Sequence, residues 1–183
     1  MTVINILNEV QHWFKTDICP NLEFKKPPAV DDSDTEHYNY ELMHPEAYIM
    51  YPPQESKFPS VTIQTGNGEY NRTKSNGELK LRFLFATWNT GKHIIDEGNV
   101  PTYTPDNEGY KDVWNFVDYV LNRLKNVDYL GRSVRIKHEN GIQFGPMSEQ
   151  DVMVNYYPYW CAWVTLTVEY GNSSTKEDFS ELI

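Results

Sequence analysis

The sequence predicts an α+β fold, a mostly antiparallel sheet with two helices packed on one face. Three observations carry that reading. Apolar residues recur at helical spacing in two segments, near the N-terminus and past the middle of the chain. The segments between and after them alternate apolar and polar residues with period two, as half-buried antiparallel strands do. The resulting order is helix, hairpins, helix, hairpins, which suits two layers, one of helices and one of sheet.

Residues 3–16 form the first helical pattern. Val3, Leu7, Val10 and Phe14 recur at helical spacing, Ile6 and Trp13 widen the stripe, and Asp17 and Pro20 stop it. Pro27-Pro28 and Asp31-Asp32-Ser33-Asp34 make residues 17–37 irregular. Two short strands follow, Tyr38–Met43 and Ala47–Tyr51, around a turn at His44-Pro45. Val61 and Ile63 begin a hairpin that crosses the turn-rich residues 66–77 and returns through Leu79, Leu81, Phe83 and Phe85. Residues 88–104 show no periodicity and read as a long loop.

The second helix spans about residues 106–127, with Thr104 as cap, Pro105 in its first turn and Gly131 as terminator. Its apolar stripe is Val113, Val117, Val120, Leu121, Leu124 and Val127, joined by Trp114 and Phe116. The last third is β: Val134 and Ile136, then Ile142 and Phe144, then Val152, Val154 and Tyr156, and a long strand through Ala162, Val164, Leu166 and Val168. Val117, Leu121 and Leu124 are expected to bury against Leu81, Phe83, Val164 and Leu166. One domain of 183 residues is expected, compact over about 1–170, with a polar, frayed tail at 171–183.

Composition narrows function. The formal net charge is -10, and no basic stripe is visible, which argues against specific nucleic-acid binding. No Lys or Arg lies between Pro27 and Ser56, where Asp31, Asp32, Asp34, Glu36, Glu41, Glu46 and Glu55 gather. No basic start, cleavable apolar run or membrane-length apolar stretch is visible, so a cytoplasmic protein is expected. Cys19 and Cys161 form no disulfide framework and read as buried or half-buried thiols.

The search for chemistry finds no catalytic motif. The five histidines lack metal-ligand spacing; His37 and His44 among the acidic residues are the nearest thing to a cation site, without the central glycine of an EF-hand loop. Gly66-Asn67-Gly68 leads into a strand, so it is a hairpin turn and not a phosphate cradle. Neither cysteine nor any serine sits in a nucleophile motif. The expectation is no enzyme and no cofactor. The aromatic run Tyr156-Tyr157-Pro158-Tyr159-Trp160 with Trp163 reads as a packed turn and core strand; an interface patch or a platform for a carbohydrate or other small molecule is the alternative.

Three segments together carry a resemblance: HPEAYIMYPPQESKFPSVTIQ at 44–64, ELKLRFLFATWNTG at 78–91 and DNEGYKDVWNFVDYVLNRL at 106–124. Pro59-Ser60-Val61-Thr62-Ile63, Leu81-Arg82-Phe83-Leu84-Phe85 and Gly109-Tyr110-Lys111-Asp112 resemble the tail terminator (tail completion, or neck) proteins of long-tailed phages and prophages. The resemblance implies a structural virion protein of the tail, assembled in the host cytoplasm. Its copies would form a ring, hexameric by that resemblance, that caps the tail tube and meets the tube protein and the head–tail connector. The acidic segment 27–56 departs from the family pattern. Contact residues are expected in the loops 66–77 and 88–104, at Tyr70, Arg72, Lys74, Trp88 and His93, against Asp31, Asp32 and Asp34 of a neighbouring copy.

Overall fold

Thr2 opens the first helix: its Oγ1 accepts from the Asn5 backbone N–H at 3.2 Å, the side-chain cap that an exposed first turn needs. The computed structural model describes residues 2–27, 41–54, 56–71, 76–95, 101–105, 107–149, 152–153 and 156–171. Helix α1 spans Val3–Trp13 and buries Ile6, Leu7, Val10 and Trp13. Val3, expected on the stripe, stays 42 % exposed in the first turn. The helical course does not stop at Asp17. It continues as a π-helical turn, Phe14–Ile18, which buries both Phe14 and Ile18, and as a 3₁₀ turn, Cys19–Asn21. Pro20 fits there because an opening turn has no use for its missing N–H.

The strands are β1 (Phe24–Lys25), β2 (Leu42–Met43), β3 (Glu46–Ile49), β4 (Ser60–Asn71), β5 (Asn76–Trp88), β6 (Gly91–Ile95) and β7 (Pro101–Pro105). Helix α2 (Tyr110–Leu124) follows a 3₁₀ turn at Asn107–Gly109. Then come β8 (Tyr129–Leu130), β9 (Val134–Ile136), β10 (Gln143–Pro146), β11 (Ser148–Glu149), β12 (Val152–Met153) and β13 (Tyr159–Gly171). Among the described residues the main sheet holds seven strands in the order β3-β4-β5-β13-β9-β8, with β10 also on β13. The pairs β1–β2, β6–β7 and β11–β12 stand apart from it.

The fold is α+β as expected, but the sheet is mixed. Strand β3 lies parallel to β4, while β4–β5, β5–β13, β13–β9, β13–β10 and β9–β8 are antiparallel. The expected turn at His44-Pro45 makes no hairpin, because β2 pairs with β1 and β3 with β4. Period-two alternation reports which face a residue takes, not the direction of its neighbour, so the parallel pairing was invisible in the pattern.

Other boundaries move for local reasons. Strands β4 and β5 run past the expected loop 66–77, with a bulge between Thr65 and Gly68; residues 72–75 lie outside the described ones. The expected loop 88–104 contains the β6–β7 pair, in register from Gly91↔Pro105 to Ile95↔Pro101. Pro105 therefore ends a strand instead of opening α2, and Gly109 occupies the cap position. Helix α2 ends at Leu124, where Lys125 N–H still donates to Leu121 O at 3.1 Å. Gly131 instead makes the β8–β9 turn at φ +65°, a left-handed conformation in which a Cβ would also meet Glu9. The expected strand at 152–156 keeps Val152–Met153 and a bridge from Tyr156 to Tyr159, with 154–155 outside the described residues. Strand β13 extends to Gly171.

One apolar cluster joins the parts. Phe14 meets Phe83 edge-on at 4.9 Å between centroids, and Phe116 of α2 meets Phe85 at 4.8 Å. Val117, Leu121, Leu124, Leu81, Phe83, Val164 and Leu166 are all buried in that cluster.

Candidate functional site

The last residues of β5 lead into Asn89-Thr90-Gly91, and there the chain builds a polar knot. Asn89 is 9 % exposed, so each of its polar groups needs a partner. Its Oδ1 accepts from Lys25 Nζ and from the Gly91 N–H, each at 2.9 Å, and its Nδ2 donates to Asp112 Oδ2 at 2.6 Å. Its backbone N–H donates to Pro158 O at 3.0 Å, and its carbonyl accepts the Trp160 indole N–H at 2.9 Å. Lys25 also donates to Gly91 O at 3.1 Å, and Tyr157 donates to Thr90 O at 2.9 Å.

The knot ties β1, the start of β6 and the first turn of α2 to the side chain of one residue, and the turn before β13 to its backbone. It works because Lys25 and Asp112 carry opposite charges to opposite ends of the same amide. Gly109 completes it by absence: a Cβ there would run into the Trp160 ring and the Asn89 carbonyl. Asn89 and the Gly109–Asp112 turn belong to two of the segments that carry the family resemblance, and here they touch.

The aromatic run beside the knot is largely committed to packing. Trp160 stands nearly perpendicular to Tyr157 at 6.2 Å and meets Tyr110 at 6.5 Å, and Phe58 meets Tyr159 at 5.0 Å. Tyr156, Tyr157 and Tyr159 keep exposed edges. Trp163 donates its N–H to Pro146 O at 2.9 Å.

The second feature is on the sheet face away from the Phe83 side. There Gln64, Lys80, Arg82, Gln143, Trp163 and Thr165 line an open depression of about 510 Å³. The Arg82 guanidinium lies over the Trp163 ring, 5.6 Å from its centroid, a favourable cation–π placement.

Of the residues expected to make contacts, Tyr70 is exposed on the outer half of β4. Trp88 is 6 % exposed at the end of β5, in register with Tyr159, so its ring is largely withdrawn from the surface. His93 lies on β6, in register with Tyr103. Arg72, Lys74, Asp31, Asp32 and Asp34 lie outside the described residues. Most of the expected set therefore lies outside the described residues, and the Asn89 knot and the depression were not foreseen. An asparagine between a strand and a glycine was the available signal, since that side chain can bind the backbone two residues on.

Among the described residues no group of three or more His, Cys, Asp or Glu could hold a metal ion. His44, placed near the acidic residues, bonds through Nδ1 to Leu22 O at 2.7 Å. Burial, helped by the Glu46 charge, pushes the Cys19 thiol up to about 12, and burial also raises Cys161. Both therefore stay protonated at neutral pH, the opposite of an activated nucleophile. Among the described residues no helix is long and apolar enough to cross a membrane. No family model matches the chain, and no curated protein matches it.

Proposed function

We propose that this chain is a structural subunit of a phage tail, a terminator whose copies close into a ring that caps the tail tube and joins it to the head connector. The observation that carries the reading is the Asn89 knot. It roots a β ribbon, β6–β7, that pairs with no other strand among the described residues, and its Asn89–Asp112 hydrogen bond and the close approach of Gly109 to the Asn89 carbonyl join two of the sequence segments that resemble tail terminators. Assembly proteins need contact elements held in a fixed pose before the partner arrives, because ordering them on contact would cost affinity.

The outer half of β4 adds a second such element. Gly66–Asn71 are exposed along their length, and an exposed stretch of strand offers a surface that another chain can meet. Both helices are read as covering the Phe83 face, which leaves the opposite face and the two hairpins for neighbours. The ring is taken to be hexameric, its place the virion tail, and its chemistry purely that of assembly.

The test is tail morphogenesis. Tails assembled with Arg72→Glu and Lys74→Glu together are expected to be uncapped, overlong or unable to join heads, while the isolated variant keeps its thermal transition. Normal tail length and a normal yield of head joining would remove these loops from the interface.

A further inference from the structure

Alternation places Glu78, Lys80, Arg82 and Leu84 of β5 on the face opposite Phe83. The register sets Arg82 beside Gln64 on β4 and Thr165 on β13. In a chain of net charge -10, this is a small cationic surface. Neither Lys80 nor Arg82 has a carboxylate partner among the described residues. Glu78, the nearest acidic residue on that face, bonds to Lys137 instead. Lys80 is exposed and Arg82 half-buried, so the second charge is partly desolvated, where an added anion gains more than it would in open water.

We propose that this depression receives the alternate carboxylates of Asp32, Asp34 and Glu36 from a second copy of this chain. The proposal deepens the assembly reading and rests on it for the second copy. Complementary spacing selects the occupant. Lys80 and Arg82 are two residues apart on a strand, so their side chains leave the same face roughly 6.5–7 Å apart. Asp32, Asp34 and Glu36 are likewise two residues apart in sequence, and in extended backbone their carboxylates share one side at the same interval. Gln64, Gln143 and Thr165 supply polar groups around the cations. A contact between unlike patches of identical chains is head-to-tail, the kind that closes a ring when the rotation fits.

A nucleic acid fits less well. Its bases need an aromatic face to stack on, but Arg82 lies over the Trp163 ring, and Gly145 packs so close to it that a Cβ would sit 3.1 Å from Trp163 Cζ2. Two cations in a chain this acidic also offer a polyphosphate backbone little net attraction.

The test is zero-length carboxyl-to-amine cross-linking of a concentrated mixture of unlabelled and ¹⁵N-labelled full-length chain. The expected result is Lys80 joined to Asp32, Asp34 or Glu36 in peptides of mixed isotope. Their yield should fall several-fold in Arg82→Glu and in high salt, which screens exposed charge, while the variant melts like the parent. Cross-links confined to peptides of like isotope, none between Lys80 and that segment, or protection of Lys80 by single-stranded DNA would each overturn the proposal. Mixed cross-links in the parent chain together with normal tails built with Arg82→Glu would sink the terminator reading alone. Defective tails without mixed cross-links would sink this contact alone.

Discussion

The two faces of the same strands differ more than any two elements of the molecule. On one side Leu79, Leu81, Phe83 and Phe85 of β5 and Ala162, Val164, Leu166 and Val168 of β13 are all at or below 4 % exposure. On the other, one residue along each strand, stand Lys80, Arg82, Trp163 and Thr165, ranging from exposed to buried around an open depression. The backbone is common to both, so the difference is chemical. The first face is specified by burial and tolerates little change of volume, whereas the second is free to be shaped by what it meets.

The largest effect should come from breaking the buried face. Phe83 is fully buried and packs edge-on against Phe14. Phe83→Ala is expected to cost about 3–5 kcal/mol in denaturant unfolding. Leu121→Ala should fall toward the lower end of about 2–5 kcal/mol, since Leu121 is the most exposed of that cluster at 9 %. A loss under about 0.5 kcal/mol at Leu121, typical of surface sites, would mean that the α2 face does not contribute as its burial implies.

An intermediate effect belongs to the knot, which lies at the end of both strands and follows neither rule. Asn89→Ala strips a partner from Lys25, Asp112 and the Gly91 N–H at once. The expected cost is about 1–3 kcal/mol, the penalty of orphaned buried polar groups. Amide exchange should accelerate across β6–β7 and the first turn of α2, while the centre of β5 keeps its protection. Uniform acceleration through the whole sheet would show that the knot supports the fold at large instead of rooting the ribbon.

The same contrast explains what the sequence disclosed. The strong alternation in 78–87 and 162–168 placed Leu79, Leu81, Phe83 and Phe85 of β5 and Ala162, Val164, Leu166 and Val168 of β13 on the buried face, and the helical stripe in α2 placed Val113 through Leu124, because burial acts on residue type at a fixed period. Direction of pairing leaves no such trace, so the parallel β3–β4 pair was missed. The β6–β7 ribbon was missed because Gly91, Pro101 and Pro105 mark turns more strongly than its residues mark a strand. The knot depends on four segments distant in sequence, Lys25, Asn89, Asp112 and Trp160, and no local rule joins them. The depression depends on register, which brings Gln64, Arg82 and Thr165 into line only once the strands are paired.

The smallest effect lies at the other end of the polar face. The register sets Glu69, Glu78 and Glu169 side by side across β4, β5 and β13. Like charges placed directly opposite oppose pairing. Two cations offset them: Lys137 bonds to Glu78, and Arg135 Nη1 lies 3.6 Å from Glu169 Oε2. The hydrogen bond to Glu78 raises the Lys137 pKa above its ordinary 10.5; desolvation, next in size, opposes it, and the charges of Glu78, Glu139 and Glu169 add to the rise. Because the folded value is the higher one, the contribution is fully present below the unfolded value of about 10.5 and is lost as pH climbs through the folded one. The stability gap between the parent chain and Lys137→Gln is therefore expected to hold constant from neutral pH to about pH 10, then to close at higher pH. It should also shrink with added salt, because the pair is open to solvent. Chemical unfolding of both proteins across that range measures the gap. A gap that stays open past the lysine range would mean that the Lys137 side chain acts by packing and not by charge, and that the polar face has a buried component of its own.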